Sequence, residues 1–159
     1  MDDAVLTRLL GVADKVEIIE LLSRYHQAID AKDWDALPRI FAADAECYYV
    51  GQEDTFGIPG NNPIGLAAIR AFLEDALTPV ETMHSMTNHV FTMLDGDRAR
   101  TRSYLAAKGG TLGIYEVDHV RTAGGWRIRR LTLDEHFEPA TLEALREQRR
   151  LALEERARS

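Results

Sequence analysis

The second half of the chain alternates between polar and apolar residues, and this pattern constrains the fold more than any other feature. A period of two places successive side chains on opposite faces of a β-strand. Turn sequences rich in Gly and Asp interrupt the pattern at Asp95–Asp97, Lys108–Gly110 and Ala123–Gly125. The segments around these turns predict successive strands at Met83–Leu94, Arg98–Ala107, Leu112–Thr122 and Trp126–His136.

The first half of the chain has helical spacing instead. Apolar residues recur at helical intervals over Ala13–Ala31, after a short lead-in, Asp2–Leu10, that ends before Gly11. Helices followed by hairpin-linked strands predict an α+β domain. A curved mixed or antiparallel sheet wrapped around the N-terminal helices would enclose a cone-shaped pocket. Three further elements are predicted: helices at Trp34–Phe41 and Leu66–Leu77, and a strand at Ala45–Val50.

Two segments have an open role. Gly51–Gly65 is rich in Gly, Pro and Asn, and it is either a lid over the pocket or a plain surface loop. Ala140–Ala157 is a highly charged helix with a thin apolar stripe. It could pack on a neighbouring subunit, cover the pocket mouth or extend into solvent. The 159 residues suit one domain, 1–159, with its core at about 12–137.

Charge and composition exclude several classes of partner. The net charge is −7, and the basic residues form no cluster before the C-terminal helix, which argues against nucleic acid and anionic membranes. Cys47 is the single cysteine, so no internal disulfide can form, and a buried position is expected. No apolar run approaches the ~20 residues of a membrane span. The acidic start is unlike a signal peptide, so a cytoplasmic location is expected.

Asp30 and His84 are the candidate catalytic residues. Asp30 lies near the end of the first long helix, at the edge of the apolar face that carries Ile18 and Leu22. His84 begins a strand, and alternation along that strand would place it on the same face as Asn88. If the helix crosses the concave side of the sheet, the two side chains can meet. An aspartate bonded to one imidazole nitrogen fixes the tautomer and makes the other nitrogen a better base.

The remaining histidines have weaker signals. His26 is expected in the core or at an interface, His89 is expected to face away from His84, and His119 and His136 are expected at the surface. The spacing of His84, His89 and His119 does not demand a metal. No phosphate-binding or dinucleotide-binding glycine loop is present. We therefore expect neither a metal nor another cofactor.

The end of the first helix also carries a family motif. The pattern Asp30-Ala31-Lys32-Asp33-Trp34-Asp35-x-Leu37 resembles scytalone dehydratase and the SnoaL-like enzymes, which have the nuclear transport factor two-like fold. The resemblance covers about residues 12–137 and implies the curved sheet and conical pocket. Further motifs follow in family order: Asp44-Ala45-Glu46, Gly65-x-x-Ala68-Ile69-Arg70, Thr82-Met83-His84 with Asn88, Gly113-x-Tyr115 and Gly125-Trp126-Arg127-Ile128.

The resemblance also implies roles for individual residues. Asp30 and His84 match the Asp–His pair of scytalone dehydratase and of the hexachlorocyclohexane dehydrochlorinase. Tyr25 matches a tyrosine of the bile-acid dehydratases, and either Tyr48 or Tyr49, which project to opposite faces of their strand, falls near a pocket tyrosine of scytalone dehydratase. Substrate contacts are therefore expected from five residues: Tyr25, Tyr49, Asn88, Tyr104 and Glu116.

Several positions depart from scytalone dehydratase. Ile29 replaces the tyrosine before the aspartate, and Tyr104 falls near its second pocket histidine. Ile114 and Glu116 fall near a serine and an asparagine of its penultimate strand. The catalytic pair is retained while the groups that polarise the substrate are not, which implies a different substrate.

Two functions follow from these features. The first is a cofactor-independent, dehydratase-like lyase or isomerase that acts on a small hydrophobic polyketide-, steroid- or aromatic-type molecule. The alternative is a non-catalytic small-molecule binding protein, or an accessory subunit of a larger enzyme. We also expect a homo-oligomer, a trimer or dimer formed through apolar residues on the outer face of the sheet.

Overall fold

The computed structural model describes residues 2–50, 62–108, 110–137 and 139–158. Most of the predicted loop Gly51–Gly65 therefore lies outside the described residues. Helices and strands within them follow the predicted order. The helices are α1 (Asp3–Ala31), α2 (Leu37–Ile40), α3 (Leu66–Leu77) and α4 (Pro139–Arg158). The strands are β1 (Phe41–Val50), β2 (His84–Asp95), β3 (Arg98–Ala107), β4 (Thr111–Thr122) and β5 (Gly125–Phe137).

The strands form one mixed sheet in the order β1-β5-β4-β3-β2. Strands β2 to β5 pair as antiparallel neighbours, as their short turns require. The strand β1 joins β5 in parallel, with Cys47 opposite Leu131 and Tyr49 opposite Leu133. This arrangement confirms the predicted α+β fold with a mixed sheet.

The core lies between α1 and the concave face of the sheet. Ile18, Leu22 and Ile29 of α1 are almost completely buried. They belong to one cluster of buried residues with Ile128 and Leu131 of β5. Residues of alternating position on each strand face this core, so the period-two pattern gives the sheet one apolar face.

The helix α1 is longer than predicted. It begins at Asp3 and continues through Gly11 without a break, whereas the sequence predicted a separate lead-in. Asp2 caps its start, because the carboxylate accepts the Ala4 N–H at 3.1 Å. A single glycine costs a helix only about 1 kcal/mol relative to alanine, which the residues on both sides offset.

The predicted helix Trp34–Phe41 is divided in two. A turn of 3₁₀-helix covers Trp34–Ala36, and α2 covers only Leu37–Ile40. Phe41 is the buried first residue of β1 rather than the end of a helix. Pro38 lies in the first turn of α2, where its missing N–H costs no hydrogen bond.

The helix α4 closes one side of a cavity, so the pocket-covering alternative describes its position. Leu145 and Arg149 line that cavity. Arg149 donates to the carboxylate of Asp75 in α3 at 3.2 Å, and Arg156 lies 3.7 Å from the same carboxylate. These ion pairs hold a helix that has no buried residue of its own.

The outer face of the sheet carries charged residues together with exposed apolar residues from several strands, as predicted: Val90 of β2, Tyr104 of β3 and Leu112 of β4. Arg100 donates to Asp118 at 2.5 Å, and Arg130 lies over the Tyr48 ring at 4.5 Å. The predicted oligomer contact through this face stays a prediction.

In the described part of the chain, no helix is both long enough and apolar enough to span a membrane.

Replacing two glycines by alanine should have opposite effects on stability. A Cβ at Gly113 would lie 2.9 Å from the Asp134 carbonyl oxygen and 3.1 Å from Leu133 Cδ1, so Gly113→Ala should destabilise by about 1–3 kcal/mol. A Cβ at Gly11 would meet Leu94 at an ordinary 3.9 Å, so Gly11→Ala should stabilise by about 0.5–1 kcal/mol. Urea unfolding measures both changes; equal effects in the same direction would contradict this packing.

Candidate active site

Asp30 and His84 meet at the junction of α1 and β2, as the sequence predicted. The Asp30 Oδ1 atom lies 2.5 Å from His84 Nδ1, and Oδ2 accepts the backbone N–H of His84 at 2.9 Å. Both side chains are largely buried, with 23% of Asp30 and 10% of His84 exposed. The two-point contact fixes the carboxylate against the start of the strand and leaves Nε2 of His84 to take up a proton.

The surroundings keep the Asp30 carboxylate ionised. Burial opposes the charge, but hydrogen bonds from the backbone and ring of His84 outweigh it, and the pKa of Asp30 is lowered. A hydrogen bond from Thr82 contributes in the same direction. Thr82 also accepts from Lys32 Nζ at 3.0 Å, so a cation lies beside the pair. Burial lowers the pKa of Lys32, against the attraction of Asp30.

His26 forms the inner wall behind the pair. Its ring stacks on that of His84 at 5.3 Å with a 19° interplanar angle. Burial, and then the neighbouring His84, lower the pKa of His26 to about 3, so its ring is neutral. Its Nε2 atom is buried with no hydrogen-bond partner among the described residues. This position agrees with the core histidine that the sequence predicted.

A cavity of about 100 Å³ opens beside His84. Its walls are mostly apolar, with charged and hydroxyl groups at intervals, so it can hold a small organic molecule and orient one polar group. The lining consists of Ala76, Leu77, Val80, Glu81, Thr82, His84, Ala107, Lys108, Thr111, Glu135, Phe137, Leu145 and Arg149.

Tyr25 and Tyr49 point into the core, but the described lining of the cavity includes neither. They form a cluster with Tyr115, and all three are almost completely buried. Burial raises the pKa of each hydroxyl well above its usual range. The Tyr49 ring stacks on Phe72 at 4.7 Å. Tyr49 is therefore the inward-facing member of the Tyr48–Tyr49 pair.

Asn88 does not share the face of His84, contrary to the prediction. It is exposed and has a left-handed backbone with φ of 55°. The register of β2 with β3 shifts between Thr87 and Val90, as at a β-bulge. The extra residue reverses the parity, so His89 lies on the inner side, with Nδ1 2.7 Å from Ser103 Oγ. The prediction that His89 faces away from His84 was therefore also wrong.

Tyr104 and Glu116 lie on the outer face of the sheet, away from the cavity. Tyr104 is 51% exposed, and Glu116 faces Arg102 at 4.0 Å. Their positions on β3 and β4 alternate with inward residues such as Ser103 and Tyr115. Neither side chain can contact a ligand beside His84 in this arrangement.

His119 is buried, not at the surface as predicted. Its Nε2 atom lies 2.9 Å from Thr101 Oγ1, and burial lowers its pKa to about 4. Its position on β4 alternates in step with the inward-facing Tyr115 and Val117, so regular strand geometry turns this histidine inward. His136 is exposed, in agreement with the prediction.

The sequence did not identify five polar residues around the cavity. Thr111 and Glu135 lie on two strands, Glu81 precedes β2, Lys108 follows β3 and Arg149 belongs to α4, and no local motif connects them. Alternation along β4 and β5 turns Thr111 and Glu135 inward, and only this signal could have identified these two residues. Among the described residues, no group of three or more His, Cys, Asp and Glu side chains could hold a metal ion.

Comparison with known proteins identifies the family. Residues 11–132 match the model of the SnoaL-like domain, and the chain belongs to this family. An uncharacterised protein of Mycobacterium tuberculosis is 30% identical over 138 residues, which cover 80% of this chain and 89% of the relative.

Solved structures share the fold. An NTF2-like protein with a cystatin-like fold from Novosphingobium aromaticivorans is 24% identical, with a TM-score of 0.68 and coverage of 89% and 94% of the two chains. A hexachlorocyclohexane dehydrochlorinase is 20% identical, with a TM-score of 0.66 and coverage of 79% and 87%. The nuclear transport factor two-like fold that the motifs implied is confirmed.

Acidification should destabilise the protein at pH values well above those at which its carboxylates titrate. The folded state keeps His26 and His119 neutral because burial lowers their pKa values to about 3 and about 4, whereas an unfolded chain protonates them near 6.5. Stability should therefore fall by about 1.4 kcal/mol per pH unit for each histidine as the pH decreases below 6.5. Urea unfolding at pH 7, 6 and 5 measures this slope. His119→Gln should reduce it by about half; a midpoint unchanged from pH 7 to 5 would contradict the burial of both rings.

Proposed function

We propose that the protein is a cofactor-independent lyase or isomerase that removes a proton from carbon through His84. The observation that carries this proposal is the two-point contact of Asp30 with His84 at the wall of a mostly apolar cavity. An ionised carboxylate on Nδ1 makes Nε2 the basic nitrogen and stabilises the imidazolium that forms after proton transfer. Proton transfer by imidazole requires no metal, nucleotide or flavin.

The first step is proton abstraction from a carbon next to a carbonyl group. His84 takes the proton, and negative charge develops on the carbonyl oxygen. Lys108, Thr111 and Arg149 are the cavity groups that could donate hydrogen bonds to this oxygen. The imidazolium then returns its proton, either to a leaving hydroxyl group, which eliminates water, or to another carbon, which shifts a double bond.

These donors replace the tyrosines that the family resemblance implied. Tyr25 is fully buried, and burial raises its pKa, so its hydroxyl supports the core behind the site. The substrate-polarising groups thus differ in type from those expected from the sequence. This difference supports a substrate distinct from that of scytalone dehydratase.

The cavity favours a small, mainly apolar substrate with one carbonyl group. Its volume of about 100 Å³ is below the roughly 300–1,000 Å³ of typical ligand sites. A polyketide-, steroid- or aromatic-type molecule therefore needs an outward shift of α4, whose Leu145 and Arg149 form one wall. Such a shift has to break the ion pair between Arg149, whose side chain is 14% exposed, and Asp75, which is 53% exposed.

Hydrogen–deuterium exchange tests proton abstraction without knowledge of the leaving group. A panel of small aromatic and polyketide-like ketones is incubated with the protein in D₂O, and mass spectrometry measures deuterium gained next to the carbonyl. His84→Ala should reduce the catalysed exchange about 10²- to 10⁴-fold. His136→Ala, at an exposed histidine away from the cavity, is the matched control and should retain the parent rate.

Asp30→Asn separates the dyad from a merely structural contact. The carboxylate accepts two N–H groups of His84, whereas an amide has only one acceptor oxygen. The asparagine side chain of this variant must therefore lose the backbone contact or force the wrong ring tautomer, and the rate should fall by a factor similar to that of His84→Ala. The double variant should be little slower than either single variant, because the residues act as a unit.

Two results would reject this proposal. The first is that His84→Ala catalyses exchange at the parent rate. The second is that the rate losses of His84→Ala and Asp30→Asn multiply in the double variant. Ligands that bind without any exchange above buffer would instead support the non-catalytic binding protein.

A further inference from the structure

A second contact joins the end of α1 to the start of β2, beside the contact between Asp30 and His84. Lys32 Nζ donates to Thr82 Oγ1 at 3.0 Å. Lys32 lies two residues after Asp30, and Thr82 lies two residues before His84. The same two segments of the chain are therefore linked twice, once through the proposed catalytic pair and once through this hydrogen bond.

The donors and acceptors of these groups fix the direction of the hydrogen bonds around Thr82. An ammonium group has only donors, so the Thr82 hydroxyl oxygen accepts from Lys32 and keeps its own O–H to donate. The Asp30 carboxylate accepts a hydrogen bond from this hydroxyl. Lys32, Thr82, Asp30 and His84 thus form one chain of hydrogen bonds that ends on the imidazole.

The charge of Lys32 also acts on the Asp30 carboxylate. Burial lowers the pKa of Lys32, whereas the charge of Asp30 raises it, so the ammonium and the carboxylate interact. The other titratable groups near this carboxylate, among the described residues, are His84 and His26. The His26 ring is neutral, because burial lowers its pKa to about 3. Lys32 therefore supplies a permanent positive charge beside the pair, which favours the ionised carboxylate.

The backbone of Lys32 has a conformation that lysine rarely adopts. Its φ of 59° is left-handed, and a helix end of this kind usually has glycine or asparagine. In the described part of the chain, Asn88 is the only other non-glycine residue with a positive φ, and it is exposed. Glycine would end α1 with less strain, so the turn itself does not explain the lysine. Its half-buried side chain, which donates to Thr82, does.

We propose that Lys32 is a positioning residue for the Asp30–His84 pair and that it acts through the hydroxyl of Thr82. The ammonium group turns this hydroxyl toward Asp30 and adds positive charge beside the carboxylate. Asp30 then stays ionised and keeps one orientation while it holds the ring of His84. The inference rests on the proposed function for its effect on the rate, whereas the hold on the ring is measured without a substrate.

The lifetime of the Nδ1–H proton of His84 tests this hold on the ring. Saturation transfer from water in ¹H NMR spectra measures how fast that proton exchanges with water in the parent protein, in Lys32→Gly and in Thr82→Val. This exchange should be about 2- to 10-fold faster in both variants, as expected for the loss of one ordinary hydrogen bond. The double variant should be little faster than either single variant, because the two residues act in series. Lys32→Arg retains the cation and should keep a lifetime closer to that of the parent.

The rate of carbon deprotonation tests the effect on catalysis. In the deuterium-exchange assay with ketones, Lys32→Gly should lower the catalysed rate by about 10- to 100-fold, because the base is held less firmly. Its midpoint of urea unfolding should not fall, since glycine relieves the strained backbone. Asn88→Gly changes the same backbone conformation at an exposed site and is the matched control, which should keep the parent rate and the parent proton lifetime.

Three outcomes separate this inference from the proposed function. Parent values of both the proton lifetime and the rate in Lys32→Gly would overturn the inference and leave the proposed function intact. A rate loss with a lower urea midpoint and an unchanged proton lifetime would assign Lys32 a structural role and also overturn the inference. A parent protein that deprotonates none of the ketones would reject the proposed function, and a shorter proton lifetime in Lys32→Gly would still support the hold on the ring.

Discussion

The contact between Asp30 and His84 joins the two halves of the structure. The Asp30 carboxylate accepts both the backbone N–H and the ring nitrogen at the start of β2. One side chain at the end of α1 thus sets the position of the strand and the direction of the imidazole. His26 supports the ring from behind. The contact that positions α1 on the sheet also prepares the proposed base.

The long helix α1 has two environments along its length. Its C-terminal half supplies Ile18, Leu22 and Ile29 to the core and ends at Asp30 and Ala31. Lys32 ends the helix in a left-handed conformation with φ of 59°, a strained position for a side chain other than glycine or asparagine. Hydrogen bonds from its backbone N–H to α1 and from its Nζ to Thr82 stabilise this turn. The strained backbone of Lys32 thus lies two residues after Asp30, the candidate catalytic residue.

The sequence patterns predicted the helices and strands and the contact between Asp30 and His84 well, because both depend on local periodicity and on the order of helices and strands along the chain. Orientation was predicted less well where the strands are irregular. The bulge at Asn88 reverses the faces of β2 and has no clear sequence signal, whereas the inward position of His119 follows the regular alternation of β4. The cavity groups could not be predicted, since Lys108 and Arg149 meet only through tertiary packing.

The tautomer of His84 tests the central claim most directly. Long-range ¹H–¹⁵N correlation spectra of the imidazole distinguish a protonated Nδ1 from a protonated Nε2 in the neutral ring. We expect Nδ1–H in the parent protein, held by Asp30 Oδ1 at 2.5 Å. A parent ring that carries its proton on Nε2 would contradict the proposed base.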